Sequence, residues 1–429
     1  MKIATGLVIV LLVAGLMAGV IGCGGAAAKE LKIGVIGPYA IAIGENQWDG
    51  AQMAAEEINN AGGVKVGDDT YTIKLLQYDS NESNSVTDAV SAVERAINVD
   101  KVSFLTGGFR TEAVSAMQDV AVSNKVIFLG TGAATAGLNT KVTNDYSKYK
   151  YWFRVMPTNS TCMVSDDLAF LDMVGQKIRT EFGIATPKVA ILAEKNLFGD
   201  AIVAGAQAGI PALGLEVAGV WRPSPTATDL TAELTAIEAA GAQIIFTCLT
   251  GAASIPFSIE MNEMQVPAVA VGINAEAGYE TFWNATGGKA SYATNLAFYI
   301  PGVNLSDKTE SFINRFKEKW GVLPGYGATT YDAIYILKGA IERAGSLDTD
   351  AIVTELEKTD YIGTVGHMSF TQNHDESCGF GNITWTGMQW QDGVMKGVWP
   401  PADGSWHGVK LEGIVDFVLP PAVIEKWKP

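Results

Sequence analysis

From residue 31 to residue 274, short apolar runs alternate with longer segments in which apolar residues recur every three or four positions. The first run, LKIGVIG at 31–37, has the length of a strand and ends in a Gly-Pro turn. The next segment, 45–64, has helical periodicity and ends at Gly62 and Gly63. Its apolar positions near one face are Trp48, Ala51, Ala54, Ala55 and Ile58. The pattern predicts a buried strand followed by a helix that packs on the sheet.

The same alternation continues in two series, separated by YWFRVMPTN at 151–159. Short β-branched strands that alternate with amphipathic helices are typical of a parallel sheet covered on both faces. The predicted fold is therefore α/β, with two doubly wound parallel-sheet lobes. The further strands of the first series are 71–79, 102–108 and 126–132, and those of the second are 188–194, 215–222, 242–250 and 267–274.

Tryptophans are dense near the end of the chain, where NITWTGMQW at 382–390 alternates between polar and apolar residues. This alternation predicts a strand hairpin with its aromatic side chains on one face, so we expect packing and not stacking on a sugar. The cluster consists of Trp385, Trp390, Trp399 and Trp406. Trp48 has two interpretations, a cover over a ligand or packing on its own sheet, and packing is the expectation.

The N-terminus predicts export from the cytoplasm. Lys2 is followed by an uncharged apolar run through Gly22, and Cys23 comes next. VIGC at 20–23 resembles the lipobox of bacterial lipoproteins, although Val20 stands where that pattern prefers leucine. We therefore expect a signal peptide at 1–22, lipidation of Cys23 and a tether at 23–30, with a retained membrane anchor or ordinary secretion as alternatives.

Composition excludes several classes of function. The chain has 30 basic and 46 acidic residues, a formal net charge of −16, which disfavours nucleic acid and anionic lipid as partners. The cysteines after Cys23 allow one disulfide at most and have no zinc spacing, and the histidines form no H-E-x-x-H motif. These residues are Cys162, Cys248, Cys378, His367, His374 and His407. We expect no metal site and no cofactor.

One segment of small residues, LGTGAATAGL at 129–138, lies where a strand passes into a helix. Gly130 and Gly132 resemble the start of a dinucleotide-binding turn, but Thr135 occupies the sixth position, where glycine or alanine is needed. The same backbone amides and the Thr135 hydroxyl suit a smaller anion such as a carboxylate. A third interpretation is a turn that only lets a helix pack closely. The segment alone disfavours the nucleotide and leaves the other two open.

Taken in order, several segments resemble type I periplasmic binding proteins, in particular the branched-chain amino-acid (leucine/isoleucine/valine-binding) group of ABC-transporter solute receptors. They are IGVIGPYA, GAQMAAEEINNAGGV, LLQYDSN, GTGAATAGL, KNLFGDA and ATTYDAIYILKGA. The resemblance implies two lobes joined by a three-stranded hinge that closes around a ligand. The implied lobes are 31–156 with 300–365, and 157–299 with 366–400, followed by a C-terminal tail at 401–429.

The resemblance also implies a ligand site at the strand ends of both lobes. In the first lobe it places a ligand carboxylate on the amides near Ala133 and Ala134 and on the Thr135 hydroxyl. GGFRTEA at 107–113 matches a serine-rich loop of the family. Here that loop carries Arg110, Thr111 and Glu112; Arg110 either contacts the carboxylate or is an exposed residue paired with Glu112 or Asp119.

In the second lobe the implied site residues are Phe198, Thr250 and Asn274. Amino-acid binders of the family place a glutamate at the position of Asn274, against the ligand's ammonium. A neutral amide cannot balance a desolvated positive charge, so Glu276 or Asp332 replaces it or the ligand lacks an ammonium.

The expected function is capture of a small amino acid or related carboxylate for an ABC permease and ATPase complex, by a monomer that meets the membrane only through its lipid anchor. Alternatives are a receptor for amides, ureas or non-amino organic acids, and a ligand-binding protein that serves a sensor. A tethered enzyme is disfavoured because the chain has no G-x-S-x-G motif, and GGK at 287–289 lacks the rest of a phosphate-binding loop.

Overall fold

The computed structural model describes residues 29–379, 382–405 and 408–429. The predicted signal peptide, Cys23 and most of the tether lie outside the described residues, as do Trp406 and His407. None of the helices in the described ranges is both long enough and apolar enough to cross a bilayer.

The first part of the chain forms a six-stranded sheet with helices on both faces. Its elements are β1 (Lys29–Gly37), α1 (Ala42–Asn60), β2 (Val64–Val66), β3 (Asp69–Asp79), α2 (Val86–Asn98), β4 (Phe104–Gly107), α3 (Thr111–Ser123), β5 (Ile127–Gly130), α4 (Gly137–Asn144), α5 (Tyr146–Tyr149) and β6 (Trp152–Arg154). The strand order is β2-β3-β1-β4-β5-β6, and only β2 is antiparallel to its neighbour. Because helices cover both faces, consecutive residues Val35 and Ile36 of β1 are both fully buried.

The second part builds a smaller sheet of the same type. Its elements are α6 (Ser160–Phe182), β7 (Lys188–Ala193), α7 (Leu197–Gly209), β8 (Glu216–Trp221), α8 (Thr231–Ala239), β9 (Ile244–Leu249), α9 (Ser254–Glu263), β10 (Val269–Asn274), α10 (Thr281–Ala285) and β11 (Thr294–Ala297). Four strands, in the order β10-β9-β7-β8, are all parallel. The predicted α/β fold with two parallel sheets is confirmed.

The rest of the chain adds helices that pack on the first sheet and a strand hairpin that lies beside the second. Its elements are α11 (Thr309–Trp320), α12 (Gly327–Ala344), α13 (Thr349–Leu356), β12 (Asp360–Gly363), β13 (Gly366–Ser369), β14 (Thr386–Gln391), β15 (Val394–Trp399) and α14 (Pro421–Trp427). Helices α11 and α12 pack beside α1 on the first sheet. Strands β14 and β15 form the predicted hairpin, which joins β11 in an antiparallel sheet next to β10.

The chain passes three times between the two sheets: after β6, after β11 and after β13. The predicted boundary between residues 365 and 366 falls in the turn of the β12–β13 hairpin. The division into two lobes that move about a hinge stays a proposal.

The described part of the predicted C-terminal tail, 401–405 and 408–429, packs against the rest of the chain. Val423 of α14 is fully buried, and the Trp427 indole donates a hydrogen bond of 2.6 Å to the carbonyl of Pro267. Phe417 packs edge-on against Phe170 of α6, with ring centres 5.9 Å apart. The C-terminal segment therefore belongs to the second half of the molecule.

A disulfide joins Cys162, in the first turn of α6, to Cys378 in the third passage between the sheets. The sequence alone did not establish whether these two cysteines form a disulfide. The third cysteine, Cys248, is a buried free thiol in β9, and burial raises its pKa well above the ordinary value.

Candidate functional site

A cleft lies where the carboxyl ends of the two parallel sheets face each other. Its walls are the loops that follow β4, β5, β7, β9 and β10, together with the passages between the sheets. It encloses about 1000 Å³, part of which is open to solvent. Such a position is the usual ligand site of open α/β sheets. Seven of its lining side chains are aromatic: Phe109, Phe198, Tyr279, Phe298, Tyr299, Tyr326 and Trp385.

A buried carboxylate, that of Glu82, holds the loop after β4 in place. Glu82 accepts hydrogen bonds from the backbone N–H groups of Phe109 and Arg110, at 3.0 and 2.6 Å. Burial raises the pKa of Glu82 above its ordinary value, and these hydrogen bonds oppose that shift. The loop is thereby fixed, and its next residues, Thr111 and Glu112, begin α3 at the edge of the cleft.

Arg110 lines the cleft and also forms a long ion pair with Glu112, the pairing that the sequence analysis gave as one alternative. Its side chain is 28% exposed, and its Nε lies 4.0 Å from Oε2 of Glu112. It donates no side-chain hydrogen bond to any residue within the described ranges. Glu112 also accepts a hydrogen bond of 3.1 Å from the N–H of Leu197, at the start of α7. This bond links the two sides of the cleft.

The glycines of the turn after β5 have a packing role. A methyl group on Gly130 would lie 2.2 Å from the Trp152 ring, and one on Gly132 would lie 2.0 Å from the carbonyl oxygen of Gly108. Both contacts are too short, so only glycine fits. The packing interpretation of this turn therefore explains its glycines.

The same turn also offers free backbone donors. Within the described part of the chain, the N–H groups of 132–135 donate to no protein acceptor. Gly132 and Ala134 line the cleft, whereas Ala133 is buried behind it. The Thr135 hydroxyl is 3.4 Å from the N–H of Gly137 and does not line the cleft. The turn can bind an anion through its amides, without the hydroxyl in this conformation.

A buried arginine that the sequence analysis did not single out supports this turn. Arg154, at the end of β6, is fully buried and donates hydrogen bonds to the carbonyls of Ala133 and Thr135. Its Nε is 2.6 Å from Oδ1 of Asp375 and 3.6 Å from Oε2 of Glu376. The available signal was an arginine inside the apolar run YWFRV, because a buried charge requires a partner.

On the second side, Phe198 and Thr250 line the cleft as predicted residues, beside Asn196. Glu194, fully buried at the end of β7, orients this wall. It accepts hydrogen bonds of 2.8 Å from the Thr250 hydroxyl and from the N–H of Gly251. Burial raises the pKa of Glu194, and these hydrogen bonds oppose the shift.

None of the three residues considered for a ligand ammonium lines the cleft. Asn274 is buried between elements, where its N–H bonds Asn295 at 3.0 Å and its amide bonds Ser258 at 3.3 Å. Glu276 is partly buried behind the wall, which raises its pKa.

The third residue, Asp332, is committed elsewhere. Its carboxylate accepts hydrogen bonds of 2.8 Å from both the N–H and the hydroxyl of Thr364. Burial nevertheless raises the pKa of Asp332 to about 6. These bonds join Asp332 of α12 to the turn of the β12–β13 hairpin, which packs on that helix.

The tryptophans divide between packing and the cleft. Trp48 packs against the core and does not line the cleft, and Trp390 and Trp399 are buried in β14 and β15. Trp385 differs, because it lines the cleft while its indole donates to the Thr158 hydroxyl. Packing is thus confirmed for three of these tryptophans. The sequence analysis also missed Tyr279, which reaches the cleft from the loop after β10.

In the described part of the chain, no cluster of three or more histidine, cysteine, aspartate or glutamate side chains is placed to hold a metal ion. The site offers one guanidinium, several amides and hydroxyls and a large aromatic surface.

Comparisons with known proteins agree with this architecture. The sequence model of a family described as periplasmic binding protein matches residues 30–392. Leu/Ile/Val-binding protein homolog 7 of Brucella abortus is 23% identical over 391 residues, which cover 88% of this chain and 93% of that protein.

Two solved structures are similar in fold. The branched-chain amino acid transporter substrate-binding protein of Streptococcus pneumoniae, in complex with isoleucine, has a TM-score of 0.71 at 21% identity, covering 86% of this chain and 98% of that one. An ABC-transporter solute-binding protein from R. palustris, in complex with benzoate, has a TM-score of 0.69 at 15% identity, covering 91% and 98%. The chain therefore belongs to the type I periplasmic binding protein family.

Proposed function

We propose that this protein is the extracytoplasmic solute receptor of an ABC transporter, and that it captures a small carboxylate in the cleft and delivers it to the permease. The observation that carries the proposal is that Arg110 and the turn after β5, whose residues Gly132 and Ala134 have unbonded amides, both line the cleft. A guanidinium and oriented amides together form a strong carboxylate site.

The two solved relatives named above hold isoleucine and benzoate, so similar folds accept carboxylates with and without an ammonium. In this chain Asn274, Glu276 and Asp332 do not line the cleft, which favours a ligand that lacks an ammonium. Binding would draw the two sides together about the three passages, as hinge closure does in general. Cys23 would anchor the monomeric receptor to the membrane by a lipid.

The first experiment is a thermal-shift screen of the purified protein with amino acids, small carboxylates, amides and ureas, followed by calorimetry on each hit. A ligand that binds only the folded state raises the melting temperature by mass action. We expect carboxylates to give the hits. Small-angle scattering at saturating ligand should show a smaller radius of gyration, and an unchanged profile contradicts closure.

Arg110→Ala tests the carboxylate contact directly. We expect binding to weaken by about 2–5 kcal/mol, the cost of removing one partner of a desolvated charge pair. The matched control is Arg95→Ala, because the Arg95 side chain is 72% exposed and its ion pair with Asp100 is 3.5 Å long. This control should leave binding within about 0.5 kcal/mol. Equal effects of the two substitutions contradict the proposed function.

The anchor is tested separately. Cys23→Ala should leave the precursor uncleaved or release the protein from the membrane fraction. Mass spectrometry of the wild-type protein should find a lipidated Cys23 at the N-terminus. Cleavage elsewhere with an unmodified Cys23 contradicts the lipid anchor and leaves the receptor function standing.

A further inference from the structure

Asn295, in β11, lines the cleft with an amide group of fixed orientation. Its Oδ1 accepts a hydrogen bond of 3.0 Å from the backbone N–H of Asn274, and only the oxygen of an amide can accept such a bond. The Nδ2 group of Asn295 donates to no acceptor within the described ranges. Because the residue is 5% exposed, this free donor belongs to a largely buried side chain.

The space beside this donor is open to the cleft. Nδ2 of Asn295 keeps accessible surface, whereas Oδ1 of the neighbouring Asn274 is enclosed. A methyl group built on Gly278, which lines the cleft, would lie 3.0 Å from that Nδ2. Apart from the turn that contains Gly278, no other described segment would come within 4 Å of the methyl group. A ligand atom can therefore reach the amide from the cleft.

This donor discriminates between ligand groups more strictly than a hydroxyl does. Thr111 and Tyr326 also line the cleft, but a hydroxyl can either donate or accept a hydrogen bond, whereas Nδ2 of Asn295 can only donate. The amide is uncharged, and Arg110 is the only cation on the described lining of the cleft. The position of Asn295 therefore suits an uncharged acceptor, such as a ketone oxygen, and not a second carboxylate.

Arg110 and Asn295 stand at different places along the cleft. Arg110 acts electrostatically on Glu194 at the end of β7, whereas Asn295 bonds the last residue of β10. Strand β9 lies between these two strands in the sheet. The ends of β7 and β10 are therefore separated by two strand spacings, roughly 10 Å. A ligand that meets both residues must carry its second polar group several bonds away from its carboxylate.

We propose that Asn295 is a ligand-binding residue and that it selects small carboxylates whose far end carries an uncharged hydrogen-bond acceptor. This inference rests on the proposed function, because it assigns the ligand carboxylate to Arg110 and to the turn after β5. It goes beyond that function by naming a second polar group of the ligand and the residue that binds it. A ligand without such an acceptor would bury the Asn295 donor unpaired, which weakens its binding.

Calorimetry on the wild-type protein tests this selection. The oxo acids from 4-oxopentanoate to 7-oxooctanoate first determine the chain length that fits. The tightest of them is then compared with matched acids in which a methyl group or an ammonium replaces the oxo group, such as 6-methylheptanoate and 6-aminoheptanoate for 6-oxoheptanoate. We expect the oxo acid to bind at least about tenfold more tightly than either matched acid, because only its oxygen pairs with Nδ2 of Asn295.

Two substitutions of Asn295 remove the donor. Asn295→Leu should bring the oxo and methyl acids to within about twofold of each other. Asn295→Asp keeps an oxygen for the N–H of Asn274 and replaces the donor by a carboxylate oxygen, so it should also favour the ammonium-bearing acid over the oxo acid. The matched control is Asn284→Asp, which adds the same charge at an exposed residue of α10 that does not line the cleft. This control should leave the preference for the oxo acid unchanged.

Several outcomes overturn the inference. They are equal affinity for the oxo and methyl acids in the wild-type protein, a preference that survives in both Asn295 variants, an equal loss of that preference in Asn284→Asp, and lack of binding by every oxo acid. If the methyl acids bind as tightly as the oxo acids and Arg110→Ala weakens both, the proposed function stands and this inference falls. If no carboxylate depends on Arg110, both fall.

Discussion

Replacing Arg154 by methionine tests whether the buried ion cluster at the end of β6 supports the candidate carboxylate turn. The substitution keeps an unbranched side chain but shortens it and removes its charge and its donors. Arg154 is fully buried, and the side chains of Asp375 and Glu376 are 6% and 0% exposed. Two acids lose their only nearby cation among the described residues, and two turn carbonyls lose a donor. Removing one partner of a buried ion pair costs about 3–5 kcal/mol, which sets the expected loss of stability.

The loss should depend on pH in a defined direction. The pKa of Glu376 is already well above its ordinary value, because the group is buried and lies beside the Asp375 charge, while Arg154 opposes the shift. Without Arg154 the folded-state pKa rises further above the unfolded value. In each protein the penalty for a charged Glu376 is absent below the unfolded pKa and stops growing at the folded pKa. The extra penalty of the variant therefore develops as pH rises above the wild-type folded pKa. Arg154→Met should therefore cost less at pH 5 than at pH 8.

The assay is urea unfolding followed by circular dichroism at both pH values, with the disulfide intact. Arg222→Met is the matched control, because Arg222 also bonds backbone carbonyls, those of Ala193 and Glu194, but its ion-pair partner Asp200 is 59% exposed. That control should cost about 1 kcal/mol and show little pH dependence. Equal losses in the two variants, or a larger loss for Arg154→Met at pH 5, refute the reasoning.

Three further predictions concern the turn, a buried acid and the disulfide. Gly132→Ala should weaken carboxylate binding at least about tenfold because its methyl would collide with a backbone carbonyl, whereas Gly137→Ala, whose methyl has room, should not. Asp167→Asn should stabilise the protein more at pH 8 than at pH 5 in urea unfolding, because burial raises the pKa of Asp167 and its oxygens have no partner among the described residues. Reducing Cys162–Cys378 should lower stability by about 2–4 kcal/mol, measured by the same unfolding assay with and without reductant.

The fold was predictable because its signals are local. Most strands of the two parallel sheets contain a short apolar run, and the covering helices have their own periodicity and end signals, whereas the short edge strands β2 and β6 were not predicted. The position of the C-terminal segment was not predictable in this way. Val423 is buried only because α14 reaches the carbonyl of Pro267 through Trp427, a contact between residues far apart in the chain.

The candidate site was predictable only in part. Loops at strand ends converge in any parallel sheet, which placed Arg110, Phe198 and Thr250 in the cleft. Asn274 also follows a strand, but its side chain turns into the interior toward Ser258. A shift of one residue along the strand decides whether a side chain lines the cleft or points into the interior. Sequence periodicity does not settle that choice at the last residue of a strand.

The contacts of Arg154 also bear on which side of the cleft moves when a ligand binds. Arg154 ties the turn at Ala133 and Thr135 to Asp375, in the third passage between the sheets, and Asn159 in the first passage bonds the same carboxylate at 3.1 Å. The disulfide joins these two passages again. The turn is therefore fixed to the passages about which closure is proposed. A carboxylate bound at this turn would stay fixed while the wall around Phe198 closes over it. Ligand capture should therefore begin on the side of the first sheet.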